Sequence, residues 1–270
     1  MRQIAHIVNP FSAEKSSGLD HAQSIVFETI RIAREFADGI VDIRTYSAQF
    51  SDDRSLVPEG FKRTVDLDRS ILDIGTFKKA RSLPLIKDIL DRLYESADAE
   101  YFIYTNVDVA LMPYFYLSVN KVIDEGYDAF VINRRTIPDL YTSCTEIPLM
   151  YAEIGESHKG YDCFIFNREV YPKYKLGNVC IGMAWVGRAL LANLLAYSTK
   201  FKEVKNKHFT FHVGNDQSWR DEKYLDYLRH NKSEYLKVFE ALQAELGNFN
   251  SNVRSFLLDA GKTRQQLRYS

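Results

Sequence analysis

The sequence predicts an α/β protein whose central sheet is mixed, mostly parallel and flanked by helices. Two observations favour this fold class. In the first half of the chain, strand-like segments alternate with amphipathic helical segments, which is the order expected of βαβ units. Residues 101–104 form an unbroken apolar and aromatic run, which is typical of a central strand covered on both faces.

The individual elements follow from two kinds of pattern. Short apolar runs, or apolar residues alternating with polar ones, predict strands at residues 4–8, 41–46, 61–67, 101–104, 128–133, 163–166 and within 201–213. Apolar positions spaced three and four residues apart predict helices at about 20–36, 78–94, 112–125, 184–197 and 233–246. Residues 134–159 show neither pattern. Because long irregular segments in compact domains are usually functional, this stretch is interpreted as a binding loop.

The composition excludes one large class of partners. The chain has 35 Lys and Arg and 36 Asp and Glu, whereas a general nucleic-acid binder needs a basic stripe. The N-terminal apolar stretch is too short for a signal peptide, and no stretch reaches the length of a membrane-spanning helix. The cysteines are Cys144, Cys163 and Cys180, and their spacing matches no zinc-binding or redox motif. Reduced thiols in a cytoplasmic setting are therefore expected, with a catalytic cysteine as the minor alternative.

The most informative motif, Asn106-Val107-Asp108, directly follows the predicted central strand. Residues i and i+2 of an extended segment project to the same side, so both side chains can reach one Mg²⁺ or Mn²⁺ ion, and such ions prefer oxygen ligands. An Asx-turn that closes the strand explains the same residues equally well. Ligands of parallel sheets bind beyond the carboxyl ends of the strands, where Asn9 is also expected.

Three further positions are candidates, and each has a simpler explanation. His212 precedes a polar loop, where a histidine can ligate a metal, contact a phosphate or merely cap the strand. Asp162 precedes a predicted strand and is a candidate base, although most loop carboxylates are only solvated. Arg81 can reach a diphosphate through its planar guanidinium, whereas the two lysines beside it also fit a solvated helix face.

Familiar catalytic signatures are absent from the sequence. It contains no GxGxxG fingerprint for dinucleotides and no GxSxG nucleophile elbow. Residues 182–189 imitate the glycine spacing of a phosphate-binding loop, but Arg188-Ala189 stands where that loop requires Lys-Ser/Thr. These glycines are therefore interpreted as turn and packing residues.

Taken in order and context over residues 4–219, these positions resemble the GT-A glycosyltransferases, the nucleotide-diphospho-sugar transferase superfamily. Val8-Asn9-Pro10-Phe11 resembles the turn where the nucleotide base sits, and the basic residues at 78–81 stand before the buried strand as in the family. Asn106-Val107-Asp108 resembles the family's Asp-x-Asp motif, with an asparagine in place of the first carboxylate.

Two later segments complete the resemblance. Residues 182–187, which include Trp185, look like the acceptor-side glycine and aromatic segment of the family. His212 looks like the additional metal or phosphate ligand that some members have. The resemblance also suggests a division of the chain into a catalytic domain at 1–222 and a helical extension at 223–270 packed on it.

The resemblance implies a Rossmann-like GT-A fold and transfer of a sugar from a nucleotide-diphosphate donor to an unknown acceptor, often with Mn²⁺ or Mg²⁺. The metal ligands would be Asp108, His212 and Asn106, and Asp162 would be the general base if the reaction inverts the anomeric centre. The residues implied to bind substrate are Asn9, Pro10, Phe11, Arg81, Asn106 and Trp185.

Two other functions fit the same residues. A nucleotidyltransferase or another phosphate-ester enzyme on a similar sheet would use the same metal ligands but would release pyrophosphate or transfer a phosphoryl group. A non-catalytic module that binds a nucleotide or sugar would fit the asparagine at position 106. Ligand binding without turnover distinguishes this second alternative from both enzymes.

Overall fold

The computed structural model describes residues 1–12, 19–158, 160–215 and 221–246, which fold around two sheets. In chain order the strands are β1 Gln3–Val8, β2 Asp42–Ser47, β3 Lys62–Arg63, β4 Tyr101–Thr105, β5 Ala110–Leu111, β6 Ala129–Ile132, β7 Arg135–Ile137, β8 Glu156–Ser157, β9 Cys163–Asn167, β10 Phe201–Val204 and β11 Thr210–Val213. The α-helices are α1 Leu19–Phe36, α2 Ile86–Ser96, α3 Phe115–Asp124, α4 Ile147–Ala152, α5 Val186–Tyr197 and α6 Leu225–Leu246. Within these ranges, no helix has the length and apolar character needed to cross a membrane.

The larger sheet has seven strands in the order β10-β6-β9-β4-β1-β2-β3, so β4 lies at its centre. All neighbouring strands run parallel except β9, which is antiparallel to both β4 and β6. Along β4, Phe102 and Tyr104 enter the core on one face and Ile103 enters the core on the other. All three are buried, which confirms the predicted mixed sheet and its central strand.

The smaller sheet has the order β5-β11-β7-β8 and joins segments from distant parts of the chain. β5 starts two residues after Asp108, β7 starts directly after Arg134, and β11 contains His212. β11 is antiparallel to β5 and parallel to β7, with Phe211 opposite both Ala110 and Arg135. This pairing brings the polar side chains of Asp108, Arg134 and His212 close to the end of β4.

The predicted helix at 78–94 is wrong at its start. α2 begins at Ile86, and Leu85 before it forms an antiparallel bridge with Cys180. Pro84 explains the difference, because a residue that precedes proline is disfavoured in the helical region and the proline ring obstructs the preceding turn. Arg81 and its neighbouring lysines therefore lie on a loop that leads into α2 rather than on a helical face.

The segment 134–159 is not the irregular loop that its sequence predicts. It contains β7, α4 and β8, and it buries Ile147 and Met150. Elements of three, six and two residues are too short to show a periodic pattern in the sequence. Lys159, at the end of this segment, lies outside the described residues.

Three smaller differences concern element bounds. The strand predicted within 201–213 is two strands, of which β10 belongs to the larger sheet and β11 to the smaller. The strand predicted at 61–67 is reduced to β3, and the helix predicted at 233–246 begins eight residues earlier, at Leu225. Residues 247–270, the end of the predicted extension, lie outside the described part of the chain.

A buried polar triad lies beneath the end of β4. His6 on β1 places Nε2 at 2.9 Å from Thr105 Oγ1 and Nδ1 at 2.8 Å from the Tyr116 hydroxyl on α3. His6 is fully enclosed, and burial lowers its pKa to about 3. The imidazole is therefore neutral at pH 7, when its two nitrogens can act as one donor and one acceptor.

Protein stability is expected to fall below pH 6.5 because of His6. The unfolded side chain takes up a proton near its ordinary pKa of 6.5, whereas the folded side chain does so only at about 3. The contribution of neutral His6 to the free energy of unfolding is therefore complete above pH 6.5. Below that pH this contribution decreases by up to about 1.4 kcal/mol per pH unit. Urea unfolding at pH 5, 6 and 7 should give a steeper dependence for the parent than for His6→Asn. Equal slopes would contradict the assignment.

Candidate active site

Adjacent strands of the larger sheet end at one level. Thr105 on β4 and Ile132 on β6 both pair with Cys163 on β9, and Ile7 on β1 pairs with Tyr104. Since β9 is antiparallel, the residue before it lies at the same edge as the residues that follow β1, β4 and β6. The residues just beyond these strands form a polar row: Asn9, Asn106, Asp162 and Asn133.

Asp108 and His212 meet at this edge although 104 positions separate them in sequence. Asp108 Oδ2 lies 3.2 Å from His212 Nε2, and the side chains are 27% and 6% exposed. Burial by itself raises the pKa of Asp108, but the hydrogen bond and charge of His212 and the charge of Arg134 outweigh burial and leave that pKa below its ordinary value. The carboxylate is therefore ionised at neutral pH. The two side chains therefore lie together, although His212 comes from β11 of the smaller sheet rather than from a strand of the sheet that contains β4. Their convergence on one metal ion or diphosphate stays a prediction.

Both ring nitrogens of His212 face oxygen atoms that accept hydrogen bonds. Nδ1 lies 2.8 Å from the carbonyl oxygen of Gly214, which can only accept, so Nδ1 carries a proton. Nε2 faces the ionised Asp108 carboxylate, and a second proton or another cation is needed to make that contact attractive. This corner of the site therefore places a carboxylate oxygen and an imidazole nitrogen 3.2 Å apart.

Asn106 is oriented by the tyrosine two residues before it. The Tyr104 hydroxyl donates to Asn106 Oδ1 at 3.0 Å. Burial raises the pKa of Tyr104, and the charges of Asp108 and Asp162 raise it further, so this hydroxyl remains a donor. The backbone carbonyl of Asn106 also accepts from the Val109 amide at 3.1 Å, which closes a turn around the motif. The motif therefore combines a strand-closing turn with a fixed side-chain amide.

Asp162 pairs with a buried arginine that the sequence analysis missed. Arg134 Nη1 lies 3.1 Å from Asp162 Oδ2, and the side chains are only 9% and 14% exposed. His158 Nε2 lies 3.9 Å from the same oxygen. Arg134 follows β6 just as Asp108 follows β4, so the rule that identified Asp108 applies to it too. The strand end was predicted to within one residue, but Arg134 was assigned to the irregular segment that follows it.

Several buried oxygen atoms at this edge have no hydrogen-bond partner among the residues that the structure describes. They are Asn9 Oδ1, Asp108 Oδ1, Asn133 Oδ1 and Asp162 Oδ2, the last being ion-paired with Arg134 without a well-aligned hydrogen bond. Arg134 Nε is likewise buried and unpartnered. Buried polar atoms are almost always satisfied in native proteins, and an unsatisfied group costs about 1–3 kcal/mol. Their concentration here is the signature of a binding site.

The turn after β1 is held rigidly at the neighbouring part of the edge. Asn9 Nδ2 donates to the Ala48 carbonyl at 2.6 Å, which leaves Asn9 Oδ1 as its free acceptor. The Phe11 amide donates to Gln23 Oε1 at 3.1 Å, and Gln23 Nε2 returns a bond to the Phe11 carbonyl at 2.9 Å. Pro10, which stands between Asn9 and Phe11 in the sequence, is buried. These residues form a preformed surface next to Asn106.

Arg81 and Trp185 lie against α6. The Arg81 guanidinium lies 5.0 Å from the centre of the Tyr224 ring, and Trp185 packs on Tyr235 at 5.4 Å. Tyr224 directly precedes α6, and Trp185 also contacts Arg188 on α5. In the described part of the chain, none of these contacts joins Arg81 or Trp185 to Asp108. Trp185 has φ of 83°, a left-handed conformation that costs a non-glycine residue on the order of 1–3 kcal/mol and is concentrated at functional sites.

Gly187 brings the start of α5 close to Asp162. A Cβ atom at this position would lie 2.8 Å from the backbone carbonyl oxygen of Tyr161, closer than real Cβ contacts allow. Glycine is therefore needed where α5 passes the residue that precedes Asp162. This explains one of the two glycines in the segment that imitates a phosphate-binding loop.

The cysteines take no part in this edge as nucleophiles. Cys163 and Cys180 are buried and Cys144 is exposed, and all three are free. Burial raises the pKa of Cys163 well above its ordinary range, and the charge of Asp162 raises it further. Burial likewise raises the pKa of Cys180 to about 12. Both buried thiols stay protonated, as expected of reduced, buried cysteines that do not act as nucleophiles.

The side chains at this edge fit a hard divalent cation only in part. Asp108 supplies an ionised carboxylate with an unpartnered oxygen, His212 supplies an imidazole nitrogen, and Asn106 supplies a neutral amide oxygen. Among the described residues no three His, Cys, Asp or Glu side chains converge on one point. Such a donor set binds a free ion weakly, and substrate phosphates normally complete sites of this kind.

No protein-family model matches this sequence, and no curated protein matches it. Among solved structures, S. aureus TarS 1–349 in complex with UDP-GlcNAc is 10% identical and matches 92% of this chain and 71% of that chain with a TM-score of 0.52. Another structure of S. aureus TarS 1–349 is 10% identical and matches 93% and 74% with a TM-score of 0.51. At this identity the likeness establishes the fold alone: the chain has the fold of GT-A-type glycosyltransferases.

Proposed function

We propose that this protein transfers a glycosyl group from a nucleoside-diphosphate sugar to an acceptor hydroxyl. The observation that carries the proposal is the Asp108–His212 pair, which lies beyond the central strand of a GT-A fold. The surrounding unpartnered oxygens supply acceptors for sugar hydroxyls and base N–H groups. The presence of UDP-GlcNAc in the TarS structure supports this class of donor.

A divalent cation, Mn²⁺ or Mg²⁺, is proposed to be held by Asp108 and His212, with Asn106 as a neutral third ligand. When bound, it would supply positive charge to the diphosphate as that group leaves. Because Asp108 is the only carboxylate in this ligand set, we expect the ion to bind together with the nucleotide rather than alone.

Asp162 is proposed as the general base of an inverting transfer. It would accept the proton of the acceptor hydroxyl while the oxygen forms a bond to the anomeric carbon, and the bond from that carbon to the diphosphate oxygen would break with its electron pair going to the diphosphate. Arg134 fixes one oxygen of Asp162 at 3.1 Å, which orients the carboxylate. A retaining transfer would need no such base.

The remaining predicted contacts are assigned by position. Asn9, Pro10 and Phe11 are proposed to bind the nucleotide base, Arg81 the diphosphate and Trp185 the acceptor side. The free cysteines fit a reducing compartment, so we place the protein in the cytoplasm.

UDP-GlcNAc and UDP are expected to raise the unfolding temperature when Mn²⁺ is present. A ligand at 100 times its Kd stabilises the folded state by about 2.7 kcal/mol, and a chain of this size gains roughly 2–4 °C per kcal/mol. His212→Ala should retain a smaller shift, because it removes one ligand and leaves Asp108. Equal shifts with Mn²⁺ and with EDTA would contradict the metal proposal.

Incubation of the protein with UDP-GlcNAc and Mn²⁺ also distinguishes glycosyl transfer from binding without turnover. Release of UDP after addition of an acceptor mixture indicates transfer. Binding of UDP-GlcNAc without any release would support the non-catalytic module, for which the neutral Asn106 is the favouring observation.

A further inference from the structure

Helix α6 binds two loops, one before α2 and the other before α5. The first is the Arg81 loop, residues 77–81, which leads towards α2. The second is the Trp185 loop, residues 178–185, which leads into α5. The two loops are joined to each other at their bases, where the Ile181 amide donates to the Pro84 carbonyl at 3.0 Å and the Ile86 amide donates to the Val179 carbonyl at 3.0 Å.

Tyr227, in the first turn of α6, holds the Arg81 loop through its hydroxyl. The hydroxyl accepts from the Arg81 amide at 2.8 Å and donates to the Lys79 carbonyl at 2.7 Å. One side-chain oxygen thereby replaces the backbone partners that this loop lacks. The Tyr227 ring is fully buried and stacks on Phe77 at 4.1 Å, so the hydroxyl has a fixed position.

Asp226 in α6 and Tyr224, which directly precedes α6, hold the same loop at two more points. Asp226 Oδ2 accepts from the Lys78 amide at 2.6 Å. The Tyr224 ring lies 5.0 Å beneath the Arg81 guanidinium, a cation–π arrangement that orients the charged end of that side chain. Both the backbone and the side chain of Arg81 are therefore set by α6.

Asn231, one turn further along α6, holds the Trp185 loop in the same manner. Its Oδ1 accepts from the Cys180 amide at 3.0 Å, and its Nδ2 donates to the carbonyls of Cys180 at 2.8 Å and Ala184 at 3.1 Å. Asn231 is fully buried. Two successive turns of one helix thus fix the segments that carry Arg81 and Trp185.

We infer that Tyr227 is a positioning residue for the nucleotide diphosphate, acting through Arg81, and that the start of α6 is a working part of the donor site. This inference rests on the proposed function, because it takes the diphosphate as the ligand of Arg81. It also means that the boundary proposed at residue 222 divides a functional unit, since Tyr227 lies beyond that boundary and Arg81 before it.

The test compares three variants of the full chain. Tyr227→Phe removes the bridging hydroxyl and keeps the buried ring, Arg81→Ala removes the proposed phosphate contact, and Tyr197→Phe is the matched control. The Tyr197 hydroxyl also bonds to α6, donating to Glu245 Oε1 at 3.0 Å near the far end of the helix. Calorimetry with UDP and MnCl₂ gives the Kd, thermal unfolding gives the stability, and hydrogen exchange reports on the Arg81 amide.

Tyr227→Phe and Arg81→Ala are each expected to weaken UDP binding about tenfold, equivalent to about 1.4 kcal/mol. Tyr197→Phe should bind as the parent does. The unfolding temperature of Tyr227→Phe should fall below that of Tyr197→Phe, because the Arg81 amide loses its hydrogen-bond partner, and that amide should exchange faster than in the parent. A purely structural role for Tyr227 would lower the unfolding temperature without this selective change in Kd.

Three results would overturn the inference. Parent-like binding by Tyr227→Phe, with weakened binding by Arg81→Ala, would reject the role of Tyr227 and leave the proposed function intact. Weakened binding by Tyr227→Phe, with parent-like binding by Arg81→Ala, would reject the route through Arg81. If the parent itself binds neither UDP nor UDP-GlcNAc, the proposed function fails and this inference fails with it.

Discussion

Asp108→Asn is expected to weaken Mn²⁺-dependent binding of UDP-GlcNAc on the order of 100-fold, or about 2.7 kcal/mol. The substitution keeps the shape of the side chain but removes the only carboxylate of the proposed ligand set. It also removes the negative charge that faces His212 Nε2 at 3.2 Å, so that corner no longer attracts a cation. Calorimetry with UDP-GlcNAc and MnCl₂ measures the loss.

The fold of Asp108→Asn should remain intact, because Asp108 Oδ1 has no partner in the protein and only one contact of Oδ2 is weakened. Asp68→Asn is a suitable control, since that carboxylate is 78% exposed and pairs only loosely with Arg92. His212→Ala should weaken binding about tenfold, because a carboxylate remains. If Asp108→Asn and His212→Ala bind as the parent does, Asn106-Val107-Asp108 is only a strand-closing turn.

Arg134→Met is expected to lower the free energy of unfolding by about 2–4 kcal/mol, because removing one member of a buried ion pair leaves the other uncompensated. The Asp162 carboxylate would lose its arginine partner in a site where its side chain is only 14% exposed. The loss of the Arg134 charge also removes one of the influences that lower the pKa of Asp108. Urea unfolding at pH 7 measures the change.

Two further variants separate this effect from simple loss of a side chain. Arg134→Met combined with Asp162→Asn should recover at least half of the lost stability, since no unpaired charge then remains. Arg54→Met breaks the ion pair with Asp66, in which the arginine is 59% exposed, and should lower the free energy of unfolding much less than Arg134→Met does. Equal costs for Arg134→Met and Arg54→Met would show that the Arg134 pair is effectively solvated.

Long regular elements of this protein were predictable because their patterns are local. Residues 101–104 are an unbroken apolar and aromatic run because both faces of β4 are covered, and that burial is visible directly in the sequence. Short elements were not predictable, because they do not extend far enough to show a local pattern. β7, α4 and β8 are too brief to repeat a pattern, and β11 was merged with β10 because residues 201–213 do not show which sheet each strand joins.

For the candidate site, the sequence by itself determined the Asn-x-Asp motif after a buried strand and predicted that His212 would lie beside Asp108 at one sheet edge. The two side chains do lie together, but His212 is on β11 of the smaller sheet, so tertiary structure decided how they meet. Arg134 was missed, because the sequence analysis assigned it to the irregular segment that follows the strand predicted at 128–133. The pairing of Arg134 with Asp162 and the anchoring of the Arg81 loop by Tyr227 were decided only by tertiary structure. These contacts join residues 28 and 146 positions apart, and such distances are set by strand order and helix packing, which local periodicity does not encode.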